Sequence, residues 1–137
     1  MADPRAFLSF DFDHDSISRT LFAGQAKSDS PTPFTVEDWS SKSELPEDKW
    51  KELISAKIGT CHMLIVLVGR SMSSAYGVAA EIAMAKDKNV PIFGVYVDGA
   101  GATSDLPSGL ARNRVIGWNW VAIGKAIDQM MGEGKNA

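Results

Sequence analysis

The run His62-Met63-Leu64-Ile65-Val66-Leu67-Val68, closed by Gly69, constrains this chain more than any other stretch. After His62 it has no polar–apolar alternation, so both of its faces must be covered. A strand covered on both faces belongs inside a parallel sheet with helices on either side. Residues 91–97, Pro-Ile-Phe-Gly-Val-Tyr-Val, read as a second such strand.

Around these two the pattern alternates between strand and helix. Residues 6–10 predict a first strand that ends in Asp11. Residues 14–26 predict a helix, with Ile17, Leu21 and Phe22 near helical spacing and Asp13 or Asp15 as its cap. Residues 34–36 predict a short edge strand behind Pro31 and Pro33. A polar loop over 37–46 carries Trp39, and 47–59 predict a second helix with Trp50, Leu53, Ile54 and Ile58 as its buried stripe. A third helix runs from a Ser73 or Ser74 cap to about Lys88, followed after the second buried strand by a long loop over 98–113 with room for a short helix. Residues 115–117 predict a weak last strand, and 120–131 a last helix with Val121, Ile123, Ile127 and Met130 on its apolar side. Residues 132–137 read as a frayed tail.

Strands alternating with helices make parallel βαβ units. Five short strands in 137 residues predict one flavodoxin-like domain over 1–137. The expected α/β fold is a three-layer sandwich whose five-stranded parallel sheet is ordered 2-1-3-4-5. In that order the winding reverses between strands one and three, and open α/β sheets bind ligands there, at the carboxyl ends of the strands. The loops over 11–15 and 70–74 meet at this reversal.

Composition narrows the partners. With 14 basic against 17 acidic residues and a net charge of -3, no basic surplus is available for phosphate backbones, so nucleic acid is not expected. The single cysteine, Cys61, leaves no internal disulfide and no cysteine-rich zinc site, and fits a reducing cytoplasm. The apolar run 63–68 is far too short to span a bilayer. Residues 1–4 lack the basic-then-apolar order of a secretory signal, so no membrane is expected either.

Glu81 is the leading candidate for chemistry. It lies on the third helix beside the stripe Val78, Ile82 and Ala85. Helical side chains lean toward the N-terminus, so Glu81 leans over Gly77, four residues earlier, toward the ligand edge of the sheet. A mid-helix glycine costs about 1 kcal/mol relative to alanine, which asks for a reason. The alternative is a surface glutamate on an alanine-rich helix packed close to the sheet.

The alternating carboxylates Asp11, Asp13 and Asp15 could bind a metal or a sugar hydroxyl, or could cap the first helix. Strand-Asp-x-Asp also opens haloacid-dehalogenase phosphatases, but no adjacent acidic pair follows a later strand here. A receiver domain needs an aspartate where Gly69 stands. No metal is expected. Cys61 and His62 start the central strand at the amino edge, where a buried thiol is the better reading than a nucleophile pair. Arg70-Ser71-Met72-Ser73-Ser74 is a phosphate-friendly turn before a helix, without the glycines of a P-loop. Trp118 and Trp120 read as packing for the last strand and helix, and Trp39 as a base-stacking, protein-contact or core-covering ring.

Taken together, Phe7-Leu8-Ser9-Phe10-Asp11-Phe12-Asp13-His14-Asp15, Gly24-Gln25-Ala26-Lys27, Asp38-Trp39-Ser40 and Gly77-Val78-Ala79-Ala80-Glu81 resemble the bacterial TIR-like domains, in particular the group of the Thoeris antiphage system. The resemblance spans nearly the whole chain and keeps the order of its elements. It implies a TIR fold and cleavage of NAD at the nicotinamide–ribose bond, giving ADP-ribose or a cyclic ADP-ribose signal in antiphage defence. Glu81 matches the glutamate that TIR enzymes carry on the helix after the third strand. Gly77 and Val78 stand where ordinary TIR domains have Trp-Cys. Under this resemblance Phe10 and Trp39 are candidates to stack on a ring of the substrate, Asp11 and Ser71 to make polar contacts, and Gly77 to leave room for it. NAD or a related nucleotide is substrate, and no cofactor is expected. The loop over 37–46 corresponds to the TIR loop that mediates self-association or closes over the site. A homo-oligomer through TIR–TIR contacts and a downstream effector protein are the expected partners. Two other readings remain open: a TIR-like interaction module without turnover, and an enzyme like the nucleoside deoxyribosyltransferases, which also use a glutamate on a similar sheet.

Overall fold

The computed structural model describes residues 4–11, 16–28, 35–37, 47–70, 72 and 76–133. The strands are β1 (Arg5–Ser9), β2 (Thr35–Glu37), β3 (Met63–Val68), β4 (Ile92–Tyr96) and β5 (Val115–Ile116). The helices are α1 (Ser16–Ser28), α2 (Glu47–Gly59), α3 (Tyr76–Asp87) and α4 (Trp120–Glu133), with a 3-10 turn at Arg112–Arg114. All strand pairs are parallel, and the sheet runs β2-β1-β3-β4-β5.

The uninterrupted apolar run of β3 is explained by its position. Every residue from Met63 to Val68 is fully buried. Met63, Ile65 and Leu67 join Phe22 and Ala26 of α1 and Ile123, Ile127 and Met130 of α4 on one face. Leu64, Val66 and Val68 join Ile54 and Ile58 of α2 and Val78, Ile82 and Ala85 of α3 on the other. Each such side chain contributes roughly 1.5–3 kcal/mol by leaving water, so the two-faced strand adds to both halves of the core.

Local chemistry ends and joins the elements. Asn119 caps α4, its Oδ1 accepting from the N–H groups of Val121 at 2.9 Å and Ala122 at 3.2 Å. Asn89, at φ 58°, closes α3 in a left-handed turn in which Val90 N–H reaches the Ala85 carbonyl at 2.8 Å. His62 precedes β3 and pins the start of β1: Arg5 N–H donates to its Nδ1 at 2.9 Å, and its own N–H donates to the Arg5 carbonyl at 2.8 Å. Cys61 is buried, with Sγ 3.4 Å from the Lys57 carbonyl, a structural thiol as the sequence indicates.

Three helix faces are rotated from the faces expected. Ile17 and Leu21 are 80% and 53% exposed, and α1 instead buries Phe22 and Ala26. The cause is a clasp. Gln25 Oε1 accepts from the indole N–H groups of Trp118 at 3.0 Å and Trp120 at 2.8 Å, and Phe22 packs against both rings at centroid distances of 5.7 and 5.0 Å. That turns Ile17 and Leu21 outward. Leu53 of α2 is 46% exposed beside buried Ile54 and Ile58, and the Trp50 side chain lies outside the described residues. Val121 is 63% exposed because it sits in the first turn of α4, while Ile123, Gly124, Ile127 and Met130 face the sheet. The boundaries also move: β1 starts at Arg5, β3 at Met63, and α4 runs to Glu133, so 132 and 133 are helical and not tail. The candidate caps Asp13, Asp15, Ser73 and Ser74 lie outside the described residues. Among the described residues, no helix is long and apolar enough to cross a membrane.

Candidate functional site

The carboxyl edge of the sheet is built by the ends of β1, β3 and β4. Along β1 the side chains alternate, so Phe7 and Ser9 face α2 and α3, whereas Ala6, Leu8 and Phe10 face α1 and α4. Ser9 is the last residue of β1, in register with Val66 of β3. A serine at this place brings a hydroxyl into an apolar layer, and an unpartnered hydroxyl there would cost about 1–3 kcal/mol.

Its partner is Glu81. The side chain of Glu81 comes down from the second turn of α3 and is 2% exposed, as buried as Val78 and Ile82 beside it. Ser9 Oγ donates to Glu81 Oε1 at 2.6 Å, inside the fold. Ser9 and Glu81 are the polar or charged residues buried among the described ones. A buried carboxylate is retained only where hydrogen bonds replace the water it has lost, and the Ser9 hydroxyl does this at the chain reversal between β1 and β3.

Asp11, two residues beyond Ser9, is half-buried at the same strand end. Gly77 is half-buried one turn before Glu81 on α3. The fold therefore gathers Glu81, Asp11 and Gly77 toward one edge. Phe10 is placed differently: at 8% exposure it belongs to the core on the α1–α4 face, opposite the Glu81 layer. Trp39 and Ser71 lie outside the described residues, as do Asp13 and Asp15. Among the described residues, no group of three or more His, Cys, Asp or Glu side chains could hold a metal ion.

Ser9 is the buried partner of Glu81, and the sequence alone assigns it no role. Its one signal is a hydroxyl at the Phe7 phase of an otherwise apolar strand, where alternation points it into the core. A separate hollow of about 300 Å³, lined among others by Lys86, Val90, Ile92, Gly109, Leu110 and Arg114, opens at the amino edge, at the opposite end of the strands from Glu81.

Residues 7–102, more than half of the chain, match the family model described as Thoeris protein ThsB, TIR-like domain. Among solved structures, a prokaryotic SEFIR domain is similar over 96% of this chain and 98% of its own, at 14% identity and a TM-score of 0.55. That likeness speaks for the fold. A 3-dehydroquinate dehydratase-like protein from Bifidobacterium longum covers 96% of this chain and 97% of its own, at 13% identity and a TM-score of 0.45. No curated protein matches the chain significantly.

Proposed function

We propose, from the fact that the chain belongs to the family of Thoeris ThsB TIR-like domains, that it cleaves NAD at the nicotinamide–ribose bond in antiphage defence. The observation that carries this reading is the buried Glu81 carboxylate, oriented by Ser9 at the carboxyl end of β1.

The chemistry suits one oriented carboxylate. Nicotinamide in NAD is a cationic leaving group, so the breaking C–N bond hands its electron pair to the ring and leaves positive charge on the ribose. A fixed carboxylate stabilises that charge as it develops, with no metal needed, and because Glu81 is buried, it accepts hydrogen bonds from the ribose hydroxyls only once the strand end opens to admit the ribose. Water then attacks the ribose carbon and loses a proton, giving ADP-ribose. Attack by another part of the same molecule gives cyclic ADP-ribose. In this reading Asp11 and Gly77 contribute to substrate binding at the strand end. Phe10 stays in the core on the α1–α4 face and makes no substrate contact, while Trp39 and Ser71 fall outside the described residues.

Purified protein incubated with NAD should release nicotinamide, and Glu81→Gln should slow the release about 100-fold or more, the usual scale for losing one electrostatic stabiliser. Unchanged turnover in the variant removes Glu81 from the mechanism. Deoxynucleosides assayed beside NAD separate the deoxyribosyltransferase reading.

A second reading, an interaction module without turnover, is favoured by the exposed Ile17 and Leu21, one turn apart on α1. Nucleotide binding without product, together with self-association that grows with concentration, supports it. A monomer at high concentration counts against it.

A further inference from the structure

We propose that Arg70 recognises the diphosphate of the dinucleotide at this edge and that Asp98 occupies its guanidinium until the diphosphate displaces it. The inference rests on the NAD-cleaving reading above and names the residue that would make that site select a dinucleotide over a simple nucleoside.

Arg70 follows Gly69 at the carboxyl end of β3 and precedes the Glu81 helix in the chain. Asp98 follows β4 on the neighbouring strand. The Val97 N–H donates to the Val68 carbonyl at 3.0 Å, which keeps the two strand tips side by side beyond the ladder. Asp98 at φ 52° and Gly99 at φ 78° then turn the chain in the left-handed region. A Gly101 N–H to Ser104 Oγ bond of 3.0 Å and the Arg112 guanidinium tie down the loop behind them, Arg112 reaching Tyr96 Oη, the Gly101 carbonyl and the Ser104 carbonyl. Asp98 thus stands on a braced support.

The pair itself is loose. Arg70 Nη2 lies 3.9 Å from Asp98 Oδ2, with the two side chains 68% and 52% exposed. So long and so wet an ion pair contributes little to stability, so exchanging its partner costs little. A diphosphate carries more negative charge than one carboxylate and accepts the guanidinium fork in a bidentate way, so it displaces Asp98.

Reach agrees with this assignment. Ser9 pairs with Val66, and Arg70 lies four residues farther along the chain, just beyond the end of β3 at Val68. Inward of Ser9 and Glu81 the space is filled by Phe7 and Leu64, both buried in the core. A dinucleotide with its scissile ribose against Glu81 must run outward, and its phosphates follow the ribose toward the Arg70 turn.

The test compares NAD with nicotinamide riboside, which has the scissile bond and no phosphate. Arg70→Gln should lower the ratio of kcat/KM for NAD to that for the riboside about 10- to 100-fold, through KM for NAD and not kcat. Asp98→Asn should raise the ratio by freeing the guanidinium and removing a negative charge. An unchanged ratio in Arg70→Gln, or equal losses on both substrates, overturns the assignment while leaving nicotinamide release intact. Calorimetric titration with ADP-ribose reads the same contact without turnover. Binding that Arg70→Gln weakens about 10- to 100-fold supports the proposal even where no nicotinamide is released. Binding that the variant leaves unchanged, or no binding by the wild type, overturns it.

Discussion

Ser9 is small, polar and wholly buried, and its hydroxyl has one evident use, the 2.6 Å bond to Glu81. Removing either partner takes one buried hydrogen bond from the other. Ser9→Ala leaves a buried carboxylate short of a donor and should cost about 1–3 kcal/mol. Glu81→Gln keeps an amide oxygen that can still accept from Ser9, and should cost less than about 1 kcal/mol. Denaturant unfolding of Ser9→Ala, Glu81→Ala and the double variant should give a coupling of about 1–3 kcal/mol. Strict additivity would mean the two side chains do not depend on each other. Glu81 is legible in the sequence because helical geometry aims it at the sheet edge one turn past a glycine. Ser9 is not, because a serine in an apolar strand looks like a tolerated small residue until its partner, 72 positions away, is known. Phe10 illustrates the same limit: an aromatic at a strand end looks like a ring for stacking, and alternation alone sends it to the core on the far face.

At the level of elements, two glycines in regular structure separate local from tertiary demands. A Cβ on Gly94 of β4 would lie 3.0 Å from Leu110 Cδ2, 3.1 Å from Val68 Cγ2 and 3.3 Å from Val115 Cγ2. Gly94→Ala should therefore destabilise by about 1–3 kcal/mol, since neighbours from β3, β5 and the preceding loop must all give way. A Cβ on Gly24 of α1 would meet nothing within 4 Å. Gly24→Ala should instead stabilise by about 0.5–1 kcal/mol, through helix propensity alone. Denaturation midpoints that move in opposite directions confirm the contrast; a loss at Gly24 would show that α1 needs its small residue for contact. The strands were legible for the reason Gly94 is intolerant: two-sided burial imposes long apolar runs. The helix faces were less so. Ile17 and Leu21 carry helical spacing, but the Gln25 clasp on Trp118 and Trp120 decides which side of α1 turns inward, and that clasp joins residues about 90 positions apart.

The proposed site exists only in the folded chain, because Ser9 and Asp11 come from β1 and its end, Arg70 from β3, Glu81 from α3 and Asp98 from β4. A ligand bound there binds the native state and not the unfolded one, so mass action must stabilise the whole molecule. At 100 times its dissociation constant the gain is about 2.7 kcal/mol. For a domain of this size that raises the melting temperature by about 10 °C. Glu81→Gln, which should bind NAD and turn it over slowly, makes the measurement clean. NAD should raise its melting temperature by that amount, and high salt should shrink the rise where phosphate contacts carry part of the affinity. Lys86→Ala serves as the positional control, because its ammonium borders the hollow at the amino edge, at the other end of the strands. If Lys86→Ala abolishes the NAD-dependent rise and Arg70→Gln leaves it untouched, the nucleotide sits at the wrong end of the sheet, and Glu81 loses its substrate.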